Sequence, residues 1–200
     1  MSTKTQICNL ALSHLGVAKE ISNLEERSGE AQACSRFYDI SREIVLNDMD
    51  WNFATGFLSL NLIEENPVTE WAYSYRYPVK CLNSRRILSG IRNDSAKTRV
   101  PYMISNDTAG RVIYTDTKDG VLEYTQNLED SSLFTPEFVM ALSFRLAAYI
   151  SPRLTAGDPY KIKNDMIAQY HIEILNAKKQ NFNENRDELP PESEFITTRN

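Results

Sequence analysis

The chain has few residues of the kinds that hold metals or disulfide frameworks. It contains three cysteines and two histidines in 200 residues. Cys8, Cys34 and Cys81 are odd in number, widely spaced and form no CxxC pair, which argues against a disulfide framework or a zinc site. His14 and His171 have no second histidine or cysteine at ligand spacing, so we expect structural roles for both. We predict neither a metal nor a cofactor.

Long apolar runs and catalytic signatures are also missing. No stretch approaches the roughly 20 apolar residues that a membrane helix needs, and the N-terminus lacks an apolar signal core, so we expect no membrane partner and synthesis in the cytosol. The sequence has no GxSxG, HExxH, GxGxxG or Walker loop. A net charge of −5 argues against a general polyanion binder, although it leaves a local basic patch possible.

Helical patterns occupy both ends of the chain. Apolar residues recur there at spacings of three and four, and each run follows a residue that favours a helix N-terminus. The start signals are Thr3 with Gln6 as a capping box, Ser28, Thr135-Pro136 and Asp158-Pro159. The second helix is predicted to end near residue 49, with Arg42 on its polar face. Pro152 is predicted to end the third helix, and the fourth is expected to stop near residue 179.

In the middle of the chain the pattern changes to a period of two. An aromatic face, formed by Trp71, Tyr73, Tyr75 and Tyr77, alternates with smaller and polar residues, which predicts a strand with one packed face. We expect this face to pack the β-region against the helical body. Further strands are predicted at 58–62, 86–91, 99–104, 112–115 and 121–126. Glu64–Pro67 is interpreted as a turn, and Asp119-Gly120 as a hairpin.

These patterns predict an α+β fold. We expect an antiparallel-type bundle of about four helices with one small antiparallel β-domain of five or six strands inserted in it, and an extended C-terminal tail. The bundle would comprise residues 1–52 and 132–182, the inserted domain 53–131, and the C-terminal arm 183–200. The arm is polar and cannot bury a core of its own. Its few apolar or rigid residues are candidate anchors for a partner: Leu189, Pro190, Pro191, Phe195 and Ile196.

Two groups of charged residues have alternative interpretations. The acidic pairs Glu25-Glu26, Glu64-Glu65 and Glu129-Asp130 have the residue types that a glycosidase uses, but adjacent acids in loops are usually solvated surface. A basic cluster flanks the aromatic strand and, with its tyrosines, has the composition of a nucleic-acid platform. The members of that cluster are Lys80, Arg85, Arg86 and Arg92. A packed aromatic sheet with charged loops at its end is the simpler interpretation.

Several stretches together resemble one protein family. They are Ile7–Gly16, the helix from Ala31 to Arg42 that leads into Asp50–Ala54, and Trp71–Pro78 with Cys81-Leu82 and Arg85. Over residues 5 to 180 the chain resembles the head-to-tail adaptor proteins of short-tailed phages, the tail tubular protein A type. The ALxxLG opening also resembles the tail accessory factors that dock under phage portals. The aromatic strand and the Trp-Asn-Phe-Ala segment are the most specific parts.

The resemblance implies a structural role in a virion. Members of this family form a dodecameric ring beneath the portal protein, connect it to the next tail component or nozzle, and line part of the DNA channel. By analogy, the partners would be further copies of this chain, the portal, the downstream tail protein, and genomic DNA that passes without specific binding. The C-terminal arm would reach the portal. The alternatives are a virion-associated peptidoglycan hydrolase and a single-strand nucleic-acid binder that uses Tyr73, Tyr75 and Tyr77.

Overall fold

The computed structural model of the chain describes residues 3–91, 98–156 and 158–184, and two helices come first: α1 (Lys4–His14) and α2 (Gly29–Asp48). Both begin at the predicted caps. Thr3 and Gln6 form the reciprocal capping box, with N–H···O distances of 2.8 and 3.2 Å. The hydroxyl of Ser28 accepts the third backbone N–H of α2 at 3.2 Å. Both predicted helix starts are confirmed. They could be predicted because each depends only on neighbouring residues.

Seven strands follow among the described residues: β1 (Thr55–Ser59), β2 (Leu62–Val68), β3 (Trp71–Arg76), β4 (Cys81–Ile87), β5 (Tyr102–Asp107), β6 (Gly110–Thr115) and β7 (Val121–Gln126). They form two antiparallel sheets. The first sheet has the order β1-β7-β4, and the second has the order β2-β3-β6-β5. Strands that are close in the chain therefore often belong to different sheets, and the connections between them cross from one layer to the other.

Two helices complete the fold, α3 (Pro136–Leu154) and α4 (Pro159–Glu184). Thr135 and Asp158 cap them as predicted. The prediction that Pro152 ends α3 is wrong, because the helix continues for two more residues. Proline removes the N–H that would bond the Ala148 carbonyl, but the hydroxyl of Ser151 donates to that carbonyl at 3.1 Å. No helix in the described ranges is long and apolar enough to cross a membrane.

The predicted fold class needs correction. The sequence analysis expected a helical bundle with one small inserted β-domain. Instead the described residues form a mixed α+β fold in which seven strands make two sheets between residues 55 and 126, and the helices α3 and α4 follow from residue 136 onward. The extended arm was expected from residue 183, but α4 runs through Glu184. Residues 185–200, with all the candidate anchors, lie outside the described residues.

Three predictions about the strands are also wrong. Residues 58–62 do not form one strand, because the chain passes here from β1 in the first sheet to β2 in the second. Leu60 is buried at this crossing. The predicted turn Glu64–Pro67 lies inside β2, where register shifts and a positive φ of 53° at Asn66 absorb the proline as a bulge. Asp119-Gly120 does not close a hairpin, since β6 and β7 belong to different sheets.

The described residues form two hydrophobic cores. One lies among the four helices and contains the free thiols Cys8 and Cys34, both fully buried as predicted. The other lies between the two sheets and contains Tyr75 and Tyr77, with Tyr73 packed at its margin. The aromatic face of β3 therefore packs on the other sheet, and the expectation that it packs on the helical body is wrong. Alternation defines which residues share a face, but it does not define what covers that face.

Candidate functional site at the junction of helices and sheets

A cleft of about 710 Å³ lies where the helices meet the first sheet. Three parts of the chain form it: the segment 50–52 that follows α2, the outer face of the first sheet, and the C-terminal end of α4. Five charged side chains line it, two basic and three acidic: Arg85, Arg86, Asp50, Glu123 and Glu184. Elements from residue 50 to residue 184 therefore converge at this cleft.

Arg85 is the central residue of this cleft. It projects from β4 and is only 9% exposed. Its guanidinium donates to the hydroxyls of Thr55 and Thr125 at 2.6 and 3.0 Å, and to the Trp51 carbonyl at 3.2 Å. It also forms an ion pair with Asp50 at 3.0 Å. One side chain thus connects two strands of the first sheet to the segment that leaves α2.

The two arginines of the cleft are paired with acids of the same cleft. Burial lowers the pKa of Arg85, and the carboxylates of Asp50 and Glu123 oppose this change. Arg86 donates to Glu123 at 2.6 Å. Charge-assisted pairs of this kind fix the orientation of the fork-shaped guanidinium groups. Both arginines are therefore engaged by groups of the protein itself, and the cleft has the properties of a structural clamp.

A pair of asparagines attaches the end of α4 to the same junction. The side chain of Asn181 accepts the backbone N–H of Asn52 at 2.9 Å and donates to the Asp50 carbonyl at 2.8 Å. The amide of Asn52 donates in return to the Asn181 carbonyl at 2.9 Å. Closer to the N-terminal end of the same helix, the hydroxyl of Tyr170 donates to the Asp48 carboxylate at 2.6 Å. These bonds place Glu184, the last described residue, beside the start of β1.

A second arginine holds the other connection between helices and sheets. Arg42 of α2 donates to the Asn127 side chain at 2.5 Å and to the Leu128 carbonyl at 2.6 Å. Its side chain is only 2% exposed, so the prediction that it lies on the polar face is wrong. A signal for this position exists in the sequence. Arg42 is four residues after buried Tyr38 and three before buried Val45, which is the spacing of the apolar stripe.

The predicted basic cluster does not come together as a platform. Arg85 and Arg86 point into the junction cleft, whereas Lys80 is exposed on the loop before β4. Arg92 lies outside the described residues. The stacking face that the nucleic-acid hypothesis needs is absent from this part of the described structure, since Tyr75 and Tyr77 are buried between the sheets. Trp71 and Tyr73 are half-buried.

The histidines and acidic pairs occupy separate places. His14 contacts the Ser143 hydroxyl at 3.0 Å and stacks on Phe144, and burial lowers its pKa. His171 is exposed beside Tyr170. Within the described ranges, no group of three or more histidines, cysteines or acids is arranged to hold a metal ion.

Each acidic pair has a local environment of its own. Glu26 accepts the Ser22 N–H at 3.0 Å, which lowers the pKa of this carboxyl. Asp130 caps a short 3₁₀ turn by accepting the Ser132 N–H at 2.9 Å, with the same direction of pKa change. The pair in β2 is exposed. A general acid needs a raised pKa, and both resolved shifts in these pairs are downward.

Comparisons with known proteins add no assignment: a scan against protein-family models finds no match, and a search of curated proteins finds none.

Proposed function

We propose that the chain is a structural virion protein, a head-to-tail connector that forms a ring beneath the portal of a short-tailed phage. In this role it joins the portal to the next tail component and lines the DNA channel at the head–tail junction of the virion. The ring would contain about a dozen copies, in keeping with the family that the sequence resembles. The role requires protein–protein contacts and no catalysis.

One observation carries this proposal. Two of the stretches that carry the resemblance, Asp50–Ala54 and Arg85, meet in space at the junction cleft, whereas the aromatic strand β3 lies in the second sheet. Arg85 bonds directly to Asp50 and to the Trp51 carbonyl. These resembling residues therefore belong to one joint that holds the first sheet against the helices. A connector needs such a joint, because it must keep its contact surfaces in a constant relative position.

The charge distribution is compatible with a channel that DNA crosses without being held. The chain has a net charge of −5. Arg42 and Arg85 are committed to internal hydrogen bonds, so they are unavailable for phosphate contacts. Tight binding to a nucleic-acid backbone depends on cationic contacts to phosphates. A chain with a net negative charge would let DNA pass during ejection without holding it.

Portal binding by a truncated chain tests the proposal. Removing residues 185–200 leaves α4 and its Asn181 contacts intact, so the fold should be retained. We expect the full chain to decorate assembled portal in electron micrographs and the truncated chain not to bind. A full-length variant with Leu189, Phe195 and Ile196 changed to Ser should also fail. The matched control, Thr197→Ala with Thr198→Ala, should bind normally.

Two outcomes would contradict the proposal. Portal binding that is unchanged by the truncation would remove the role assigned to the C-terminal residues, and absence of binding by the full chain would remove the connector role itself. Lysis of cell walls by the purified protein, abolished by a single Glu→Gln change, would favour the hydrolase alternative instead.

A further inference from the structure

A groove of about 310 Å³ lies where β1 meets the connection from β3 to β4. Its walls are mainly apolar. Leu58 is 40% exposed and Val79 is fully exposed, and both line the groove. Tyr77 and Tyr124, which belong to the core between the sheets, line it as well. The groove therefore gives an apolar side chain from outside direct access to core residues, and it is a candidate contact surface.

The rim of this groove is basic. Lys80 lines it and is exposed, and the exposed Arg111 lies over the Tyr77 ring, 5.4 Å from the ring centroid. Within the described ranges neither Lys80 nor Arg111 forms an ion pair. Arg76, a third base at the groove, is already paired with Asp107 at 2.9 Å. Charge complementarity therefore favours an occupant that has carboxylates next to its apolar side chains.

The C-terminal segment, residues 185–200, has this composition. Phe195 and Ile196 are adjacent, and Glu192 and Glu194 come just before them. Acids outnumber the two arginines of the segment, and they are Asp187, Glu188, Glu192 and Glu194. The segment thus combines the apolar residues and the carboxylates that the groove and its rim would bind.

The last described residue lies close enough for the segment to reach the groove. Glu184 accepts the side-chain amide of Asn52 at 3.2 Å, just before β1 begins. From Asn52 to Leu58 is six residues, which span at most about 20 Å. Phe195 follows Glu184 by 11 residues, which can span up to about 36 Å. The segment can therefore reach the groove of its own chain with length to spare.

Strand β1 offers an open edge along this path. It is the outermost strand of the first sheet, and it pairs with β7 in a continuous register. It contains no proline, whereas β2 has Pro67 and two register shifts that interrupt its edge. Edge strands without such interruptions accept a further strand. Backbone bonds to β1 would therefore guide the residues after Glu184 toward the groove.

We infer that residues 185–200 fold back on their own chain and place Phe195 and Ile196 in this groove. The glutamates that precede them then face Lys80 and Arg111. The occupant is this segment because it has the required side chains and because its attachment beside β1 gives it a high effective concentration at the groove. The contact is made within one chain, so it does not rest on the proposed function. If both hold, the portal has to displace the segment from the groove.

Paramagnetic broadening in the full-length chain tests this contact without any portal. A spin label on Thr198→Cys can be attached selectively, because the three native cysteines are buried. The NMR amide signals of Leu58, Val79 and Tyr124 should then be broadened. Changing Phe195 and Ile196 to Ser should remove this broadening, because the apolar contact is lost. Ser193→Ala, the matched control in the same segment, should leave it unchanged.

Charge reversal tests the predicted pairing at the rim. Lys80→Glu/Arg111→Glu and Glu192→Lys/Glu194→Lys should each lower the ratio of docked to free segment at least ~10-fold, because like charges then face each other. Combining all four changes in one chain should restore the broadening. Circular dichroism verifies that the variants remain folded.

A control with the same change of net charge lies on the helical part of the chain. Arg27→Glu/Arg36→Glu should keep the broadening of the wild type. The inference is overturned if the wild type shows no broadening, if the serine variant keeps it, or if the four combined changes do not recover it. Broadening in a mixture that has the label and the observed nuclei on different chains would overturn folding back within one chain. Portal binding by a chain that shows no broadening would overturn this contact and leave the proposed function standing.

Discussion

Replacing Arg42 by Met tests how strongly the second arginine holds the helices to the sheets. Arg42 is the buried charge at the connection from β7 to α3, and its Nη1 donates to both Asn127 and Leu128. Met has a similar length and fills the apolar part of the site. The change therefore removes the donors and the charge while it retains most of the packing.

The expected loss follows from these contacts. Hydrogen bonds to a charged group contribute about 1.5–3 kcal/mol each, so the two short bonds together contribute about 3–6 kcal/mol. The ion pairs to Asp39 and Glu43 add little, because both distances are 3.6 Å and the acids are 65% and 45% exposed. The loss is a large share of the ~5–15 kcal/mol by which folded domains are stable.

Urea unfolding followed by circular dichroism measures this loss, and thermal unfolding should show a decrease of about 10 °C in Tm. Arg36→Met, an exposed position on the same helix, is the matched control and should change the free energy of unfolding by no more than ~0.5 kcal/mol. Arg42→Lys should fall between them, because an ammonium lacks the planar fork. If Arg42→Met costs no more than the Arg36 control, the two short bonds contribute nothing and the clamp interpretation fails.

Three further predictions concern other contacts. Tyr75→Phe should lower the free energy of unfolding by about 1 kcal/mol, because it removes the hydroxyl that donates to the Thr117 carbonyl at 3.0 Å. Tyr75→Ala also removes the buried ring and should lower it by about 3–5 kcal/mol. Equal losses for the two variants in urea unfolding would be inconsistent with a packed ring. Burial lowers the pKa of His14 below its ordinary 6.5, so folding stability is complete above that pH and falls as the pH drops and the unfolded chain takes up the proton. His14→Gln should therefore lose less stability than the wild type between about pH 7.5 and 5.5, and parallel losses would count against this reasoning. Asn181→Ala should cost about 1–2 kcal/mol through two lost hydrogen bonds, while exposed Asn176→Ala should be nearly neutral.

The elements that were predicted correctly depend on local interactions. The start of α1 requires only Thr3 and Gln6, three residues apart, because a capping box uses backbone groups of the first turn. The alternation in β3 predicted a strand for a similar reason, since the side-chain period belongs to the backbone itself. Local evidence failed at Pro67 and Pro152. A bulge in β2 and the Ser151 hydroxyl in α3 compensate for the missing N–H groups there.

Local sequence patterns could not predict the candidate site. Arg85 was predicted as part of a basic cluster with Arg86, but its acidic partners Asp50 and Glu123 come from different elements. Asn181 was not identified at all, because an asparagine near the end of a helix gives no signal of a distant contact.

The sequence by itself determined the helix starts, the aromatic strand, and the resemblance that motivates the proposed function. Tertiary structure alone decided that the strands form two sheets, that the tyrosines face the opposite sheet, and that Arg42 is a buried clamp. The physical reason is the distance along the chain over which each interaction acts. Capping bonds span three residues, whereas Arg42 reaches Asn127 across 85 positions and Asn52 reaches Asn181 across 129. Only folding brings such groups together.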